Sequence, residues 1–306
     1  MAVEIANGVF QIDTKLGGWD HVTSAYLIDG DAPVLIEVGS QSSVKVVLQE
    51  LSQLGVGSED LATIALTHIH LDHAGGTGEI SKAFPKAQIL VHERGARHLA
   101  DPSRLNTSAA LVYGDLLESL YGRLEPTPAE RIDSVGGGDL ISVSKDRSLV
   151  VIDSPGHAKH HLGFFDPLSG ILFTGDAAGV LLPGLTSLRP ATPPADFDAE
   201  KAFDSLGKFK SFRPNSLAFA HYGLYDRASE ILDEADESLR AWVEVAKHAF
   251  CNGLDIESEL TSAFAKDKNH TDEIVFERLD LLNGVHSNAM GLKMWLESQE
   301  KSKISK

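Results

Sequence analysis

Residues 63–76 read TIALTHIHLDHAGG, and the reading of this stretch decides the reading of the chain. An apolar, β-branched run leads into His68, His70, Asp72 and His73, which fall within six positions, and a Gly-Gly pair follows. Histidine makes up only 13 of 306 residues, so three in so short a space call for a chemical explanation. The run at 61–67 reads as a buried strand, which puts the histidines in the loop at its C-terminal end. In an extended segment residues 68, 70 and 72 share one side, and residue 73 breaks that phase. Two sets of donors from one loop point to two adjacent metal ions.

Further along the chain, three more strand-like runs each deliver one residue of the same kind. DSPGHAKHH carries His157, ILFTGDAAG carries Asp176 and SLAFAHYG carries His221. Together with the first cluster this makes seven ligand-type residues at four strand ends. A closed structural zinc site takes four protein ligands, often cysteines. A larger set without thiolate suits an open dinuclear site that does hydrolytic chemistry.

Around these motifs the chain alternates short strands with turns. VFQID, AYLID and PVLIEVG read as a meander, Ser42 to Leu54 as a helix, 75–83 as the start of another and AQILVHE (87–93) as a strand. Residues 94–135 have helical periodicity and read as an insertion, with Leu111, Leu116, Leu117 and Leu120 on or near one face. From about 226 the chain reads as helical, with a stripe of Ile231, Ala235, Leu239, Trp242, Ala246 and Ala249. A final helix is predicted over 271–298, with EKSKISK after it as a frayed tail. These readings divide the chain into a catalytic unit, 1–225, and a helical C-terminal extension, 226–306.

The residue set and its order, His68-x-His70-x-Asp72-His73, then His157, Asp176 and His221, resemble the metallo-β-lactamase superfamily. That resemblance implies an α/β fold, a four-layer αββα sandwich with the metals at one edge, here with a helical insertion and a helical C-terminal extension. It implies that His68, His70 and His157 hold one divalent ion, that Asp72, His73 and His221 hold a second, and that Asp176 bridges them. Zinc suits these donors, as do iron and manganese. HERGARHL, PGHAKHHLGFF and FTGDAAGV resemble glyoxalase II-like and lactonase-like hydrolases. The implied activity is attack of a metal-bridging hydroxide on an ester, thioester or lactone carbonyl, with Asp72 and Asp176 as catalytic carboxylates. The alternatives are a phosphodiesterase on the same metals, a mononuclear iron sulfur dioxygenase, and a metal-binding module with a structural role.

Four further residues are candidates around the metals. LIEVGS stands where the family often has Asp-Thr-Gly, which gives Glu37 a supporting role toward a ligand histidine or the loop backbone. His92 follows a strand and is a candidate for the pocket wall. Tyr222 either donates to a substrate oxygen or packs beside the loop. Of His160 and His161, one backs the ligands, with His161 the candidate, and the other lies at the surface. His270, with His21, His98, His248 and His286, reads as an ordinary residue, and Cys251 as a core thiol. Residues 179–197, with four prolines, read as a stiff pocket wall, and Tyr113, Leu117 and Tyr121 as its apolar counterpart.

The formal charge of −17, with no basic cluster, argues against nucleic acid and anionic membranes as partners and leaves a small-molecule substrate. The apolar helical stripes also suit a homodimer contact. No run of about 18 apolar residues is present, and no basic-then-apolar leader opens the chain. With a single cysteine, these features predict a cytoplasmic protein.

Overall fold

Short apolar segments bounded by Gly, Pro and Asp become strands, and in the computed structural model, which describes residues 1–185, 187–265 and 272–304, they form two sheets. The first has seven strands in chain order: β1 (Val3–Ala6), β2 (Val9–Asp13), β3 (Ser24–Ile28), β4 (Val34–Ile36), β5 (Thr63–Ala65), β6 (Gln88–Val91) and β7 (Ile132–Ser134). Strands β1 to β4 are an antiparallel meander, and β4 to β7 run parallel. Parallel neighbours need crossovers. These contain α1 (Val44–Gln53), the short α2 (Leu71–Ala74), α3 (Thr77–Ala83), α4 (Glu93–Ala100) and α5 (Ser103–Tyr113).

The second sheet has six strands: β8 (Leu140–Ser144), β9 (Arg147–Asp153), β10 (Leu162–Asp166), β11 (Ile171–Gly175), β12 (Ser216–Phe219) and β13 (Gly223–Asp226). It is antiparallel except at β11 and β12, which pair in parallel across α6 (Ala199–Ser211). Helices α7 (Ala228–Cys251) and α8 (Ile256–Ala263) follow, and then helices Glu273–Asn283 and Val285–Ile304.

Strand alternation sorts the core into layers. In β3, Tyr26 and Ile28 face the second sheet, where they join Val151, Phe164 and Phe173. Leu27, between them, points the other way and joins Leu35, Val47, Leu51, Ile80 and Leu99 beneath the first helical layer. In β11, Leu172 turns outward to meet Leu206, Phe209, Leu232 and Trp242 beneath the second. The result is helix, sheet, sheet, helix, the αββα order. The Tyr26 hydroxyl donates to the Phe219 carbonyl at 2.6 Å and ties the sheets together close to the site.

Several expectations are corrected. The segment 94–135 is not all insertion, because α4 covers the first sheet and β7 is its edge strand. Leu111 and Leu116 are exposed while Leu117 and Leu120 are buried, since Gly114, at φ 53, ends α5 and turns the chain. The final helix is broken at Gly284, whose ψ of 153° is extended. Helical structure then continues to Ile304, so residues 300–304 are not a frayed end. Cys251 is exposed at the end of α7 and is not a core thiol. His270, Thr271 at the head of the predicted final helix, Thr186 of the proline-rich loop and the last two residues lie outside the described residues.

Candidate metal centre

The strand β5 ends at Ala65, and the loop after it carries His68 and His70 at the rim of the first sheet. His70 is extended at ψ 152 and caps α2, so the chain becomes helical at Leu71. The extended phase therefore stops at His70. Asp72 does not share the side of His68 and His70, and it sits with His73 on the helical turn. The Gly-Gly pair permits close backbone approach there. A Cβ on Gly75 would lie 2.3 Å from the Leu71 carbonyl and 3.0 Å from Ser40 Cα. The amide of Gly76 donates to the Gly39 carbonyl at 3.0 Å, and the amide of Val38 donates to the His73 carbonyl at 3.0 Å.

Three histidines form a first group. His70 Nδ1 lies 2.9 Å from His68 Nε2 and 3.0 Å from His157 Nε2. The far nitrogens are held elsewhere: His157 Nδ1 at 3.1 Å from the Ala191 carbonyl, and His68 Nδ1 at 2.9 Å from the Thr67 hydroxyl. A carbonyl accepts only, so His157 Nδ1 carries the proton and its Nε2 lone pair faces the group. Burial and the neighbouring imidazoles hold His68 well below the usual histidine range and bring His70 down to about 3. His157 is also lowered, first by burial. Neutral imidazoles are what metal coordination requires.

Asp72, His73 and His221 form a second group. His221 Nε2 is 3.4 Å from Asp72 Oδ2, and His73 Nε2 is 3.6 Å from the same oxygen. The His221 Nδ1 is held at 3.2 Å by the Val22 carbonyl. Asp176 touches both groups. Its Oδ2 lies 3.6 Å from His157 Nε2, and its Oδ1 lies 3.4 Å from His73 Nε2 and 3.6 Å from His221 Nε2. Burial would raise Asp72 and Asp176, but His73 and His221 beside them hold both below the usual carboxylate range. Burial likewise opposes charge on His73 and His221, yet the carboxylates win, raising His73 well above its ordinary value and His221 to about 9.

The donor set fits a divalent cation. His73 Nε2 and Asp176 Oδ1 are buried, lack any hydrogen-bond partner and face each other at 3.4 Å. Buried polar atoms without partners are costly, and a cation between them removes that cost. Three sets of side chains, His68/His70/His157, Asp72/His73/His221 and Glu37/His68/His73, bring donor atoms within 4.8 Å of one another and could hold a metal ion. All donors are nitrogen or oxygen.

Of the surrounding candidates, Glu37 is buried at φ 62, a left-handed backbone unusual for a non-glycine residue. It accepts from the Thr67 hydroxyl, which also meets His68, and its Oε1 lies 3.7 Å from His73 Nδ1. It thus touches a partner of the first group and a member of the second. His161 is fully buried, with Nδ1 2.8 Å from the Ser154 hydroxyl and Nε2 accepting from the Asp176 amide at 3.1 Å. His160 is not at the surface as expected. It is 8% exposed, and it packs its ring 6.2 Å from that of His70, because it follows directly on the turn that brings His157 beside His70. His92 is half-buried and caps α4, accepting from the Arg94 amide at 3.1 Å. Tyr222 packs against His21, ring to ring at 5.1 Å, and against the Val180 and Leu182 side of the proline-rich loop.

Thr67, Ala191 and Val22 were not legible as site residues. Two of them act through backbone carbonyls, which leave no mark on residue type, and Thr67 reads as one more β-branched strand residue. A cavity of about 20 Å³ lies behind His157 and Asp176, walled by Leu188, Pro190, Ala191 and Phe197 from the proline-rich loop. Across the site, the rings of Tyr113 and Tyr121 pack at a tilt with centroids 4.4 Å apart, and the Asp72 charge adds to burial in raising both hydroxyls.

Residues 18–221 match the model of the metallo-beta-lactamase superfamily. A metallo-beta-lactamase fold-containing protein of Sulfurisphaera tokodaii is 32% identical over 208 residues, 66% of this chain and 74% of that one. A hydroxyacylglutathione hydrolase of Fuscovulum blasticum is 28% identical over 176 residues, 58% of this chain and 54% of its own. The crystal structure of an archaeal metallo-beta-lactamase superfamily protein from Sulfolobus tokodaii superposes with a TM-score of 0.71 at 25% identity, covering 94% of this chain and 99% of that one. Members of this superfamily are generally metallohydrolases, and by motif, fold and site the chain belongs to the metallo-beta-lactamase superfamily.

Proposed function

We propose that the chain is a metal-dependent hydrolase that cleaves an ester, thioester or lactone of a small molecule at a two-ion site. The observation that carries this reading is the position of Asp176, with one oxygen 3.6 Å from His157 and the other 3.4 Å from His73. In this reading His68, His70 and His157 hold one ion, Asp72, His73 and His221 hold the other, and Asp176 spans them. Such ions, when bound, polarise a substrate oxygen and bring the pKa of water toward neutrality. Zinc fits the donors, with iron and manganese as alternatives.

The chain's own residues do the rest. Asp72 is the more exposed of the two site carboxylates, at 12% against 6% for Asp176. In this reading it takes the proton of the attacking water and passes it to the leaving oxygen or sulfur as the acyl bond breaks. His161 fixes the Asp176 backbone, and Glu37 orients His73. Tyr113, partly exposed near Asp72, offers an apolar wall for an acyl group. The relative named a hydroxyacylglutathione hydrolase supports the thioester member of this class. Residues 1–225 would form the catalytic unit and 226–306 its helical extension, in a cytoplasmic protein that can pair as a homodimer.

A pH-indicator assay on the ion-loaded protein, with a thioester, several lactones and a phosphodiester in parallel, tests the reading. Turnover of one carbonyl class that is lost in Asp176→Ala is expected. Turnover of the phosphodiester alone would replace it with the phosphodiesterase reading, and a single bound iron with no hydrolysis would favour the dioxygenase.

A further inference from the structure

The last two helices meet the proline-rich loop behind the site, and part of that contact is polar. Asn283 and Asn288 are 8% and 1% exposed and lie beside Leu279, Ala289 and Leu292, where leucine would pack at lower cost. Their amides instead bind backbone. The Thr192 amide donates to Asn288 Oδ1 at 2.5 Å, and the Thr192 hydroxyl lies 2.8 Å from the same oxygen and 3.1 Å from the Asn288 carbonyl. Asn283 Nδ2 donates to the Pro190 carbonyl at 3.0 Å. Asn288 Nδ2 donates to Asn283 Oδ1 at 2.7 Å, which locks the two amides to each other. Helix and loop are also in backbone contact, for a Cβ on Gly291 would lie 2.0 Å from the Thr192 carbonyl.

The residue enclosed by these contacts is Ala191. Pro190 is held by Asn283 on one side and Thr192 by Asn288 on the other. The Ala191 carbonyl between them accepts from His157 Nδ1 at 3.1 Å. We propose that the Asn283–Asn288 pair is a positioning device for His157: by fixing the Ala191 carbonyl it sets the tautomer and aim of a ligand imidazole. Asn283 and Asn288 are positioning residues and touch no reacting atom. This rests on the metal reading above, in which His157 is a ligand. It gives the C-terminal helices a role in ion binding that their sequence, far from every ligand, does not suggest. Partners that orient a ligand histidine typically change metal affinity by about 10–100-fold when removed.

The test is zinc affinity, measured by competition with a chromophoric chelator, in the full chain. Asn288→Leu keeps the branching and the number of side-chain heavy atoms but removes the amide, and should weaken binding by about 10–100-fold. Thr192→Val should weaken it less, and Thr192→Ser, which keeps the hydroxyl, should restore it. In a His157→Ala background, Asn288→Leu should add no further loss, which a general structural role would not predict. A folded Asn288→Leu protein with wild-type affinity overturns the proposal, as does a loss that persists undiminished without His157. If Asn288→Leu does not fold, the Thr192→Val and Thr192→Ser pair decides, and equal affinity in the two overturns it. If His157→Ala alone binds zinc as tightly as wild type, the metal reading itself fails, and this inference fails with it.

Discussion

His70 offers Nδ1 to the first group, whereas His68 and His157 offer Nε2, and each far nitrogen of the latter two is tied to a named partner. At the residue scale the site is defined by such partners as much as by ligands. Glu37→Gln removes the charge that faces His73 Nδ1 while keeping an oxygen for Thr67. It should weaken ion binding by about 10–100-fold, read by chelator competition. The carboxylates also set a pH dependence. In the ion-free protein His221 is raised to about 9, above its unfolded value of about 6.5. Its charge therefore stabilises the fold fully below pH ~6.5, and the contribution is lost as pH rises through about 9. Denaturation in chelator should show His221→Gln less stable than wild type at pH ~6, with the difference closing by pH ~9.5. A difference that grows with pH would contradict this assignment. The clustered candidate residues could be picked out because imidazole clusters are rare in composition. Their partners could not, since a carbonyl such as Ala191's has no residue type.

At the scale of elements, strand alternation explains most of what could be read in advance. β3 and β11 alternate between two cores, and the α7 stripe of Ile231, Ala235, Leu239, Trp242, Ala246 and Ala249 is buried as its spacing predicts. The errors have local causes. Gly284 breaks a helix whose apolar period runs on without a gap, and the helical turn at Leu71 rotates Asp72 away from His70. One unanticipated feature is the buried pair of Arg147 and Asp166, at 2.6 Å, which joins the start of β9 to the end of β10. These strands carry the turn that holds His157. Removing one partner leaves a buried charge, so Arg147→Ala should cost about 3–5 kcal/mol in chemical denaturation. Replacing both by apolar residues of similar volume should cost much less, and equal losses would show that the charge itself is not what matters.

At the scale of the molecule, the two sheets bring four strand ends to one rim, and seven residues spread over 154 positions of sequence, from His68 to His221, meet there. The family and its layer order followed from that residue set. The C-terminal helices could be recognised as helices, but their attachment through Asn283 and Asn288 depends on which faces meet, and periodicity does not specify that. No helix among the described residues is long and apolar enough to cross a membrane. A site that binds an ion only when folded couples binding to stability. At free ion about 100-fold above Kd, each independent site should add about 2.7 kcal/mol, seen as a rise in Tm that chelator reverses. No change in Tm on adding zinc, manganese or ferrous iron would argue against a folded-state ion site.

One set of seven residues is proposed to hold two ions, with Asp176 between them. Elemental analysis of the purified, zinc-reconstituted protein alongside Asp176→Ala tests it most directly. About two ions per chain are expected in the wild type, and in the variant fewer ions together with lost hydrolysis. Two ions and full activity retained in Asp176→Ala would contradict it.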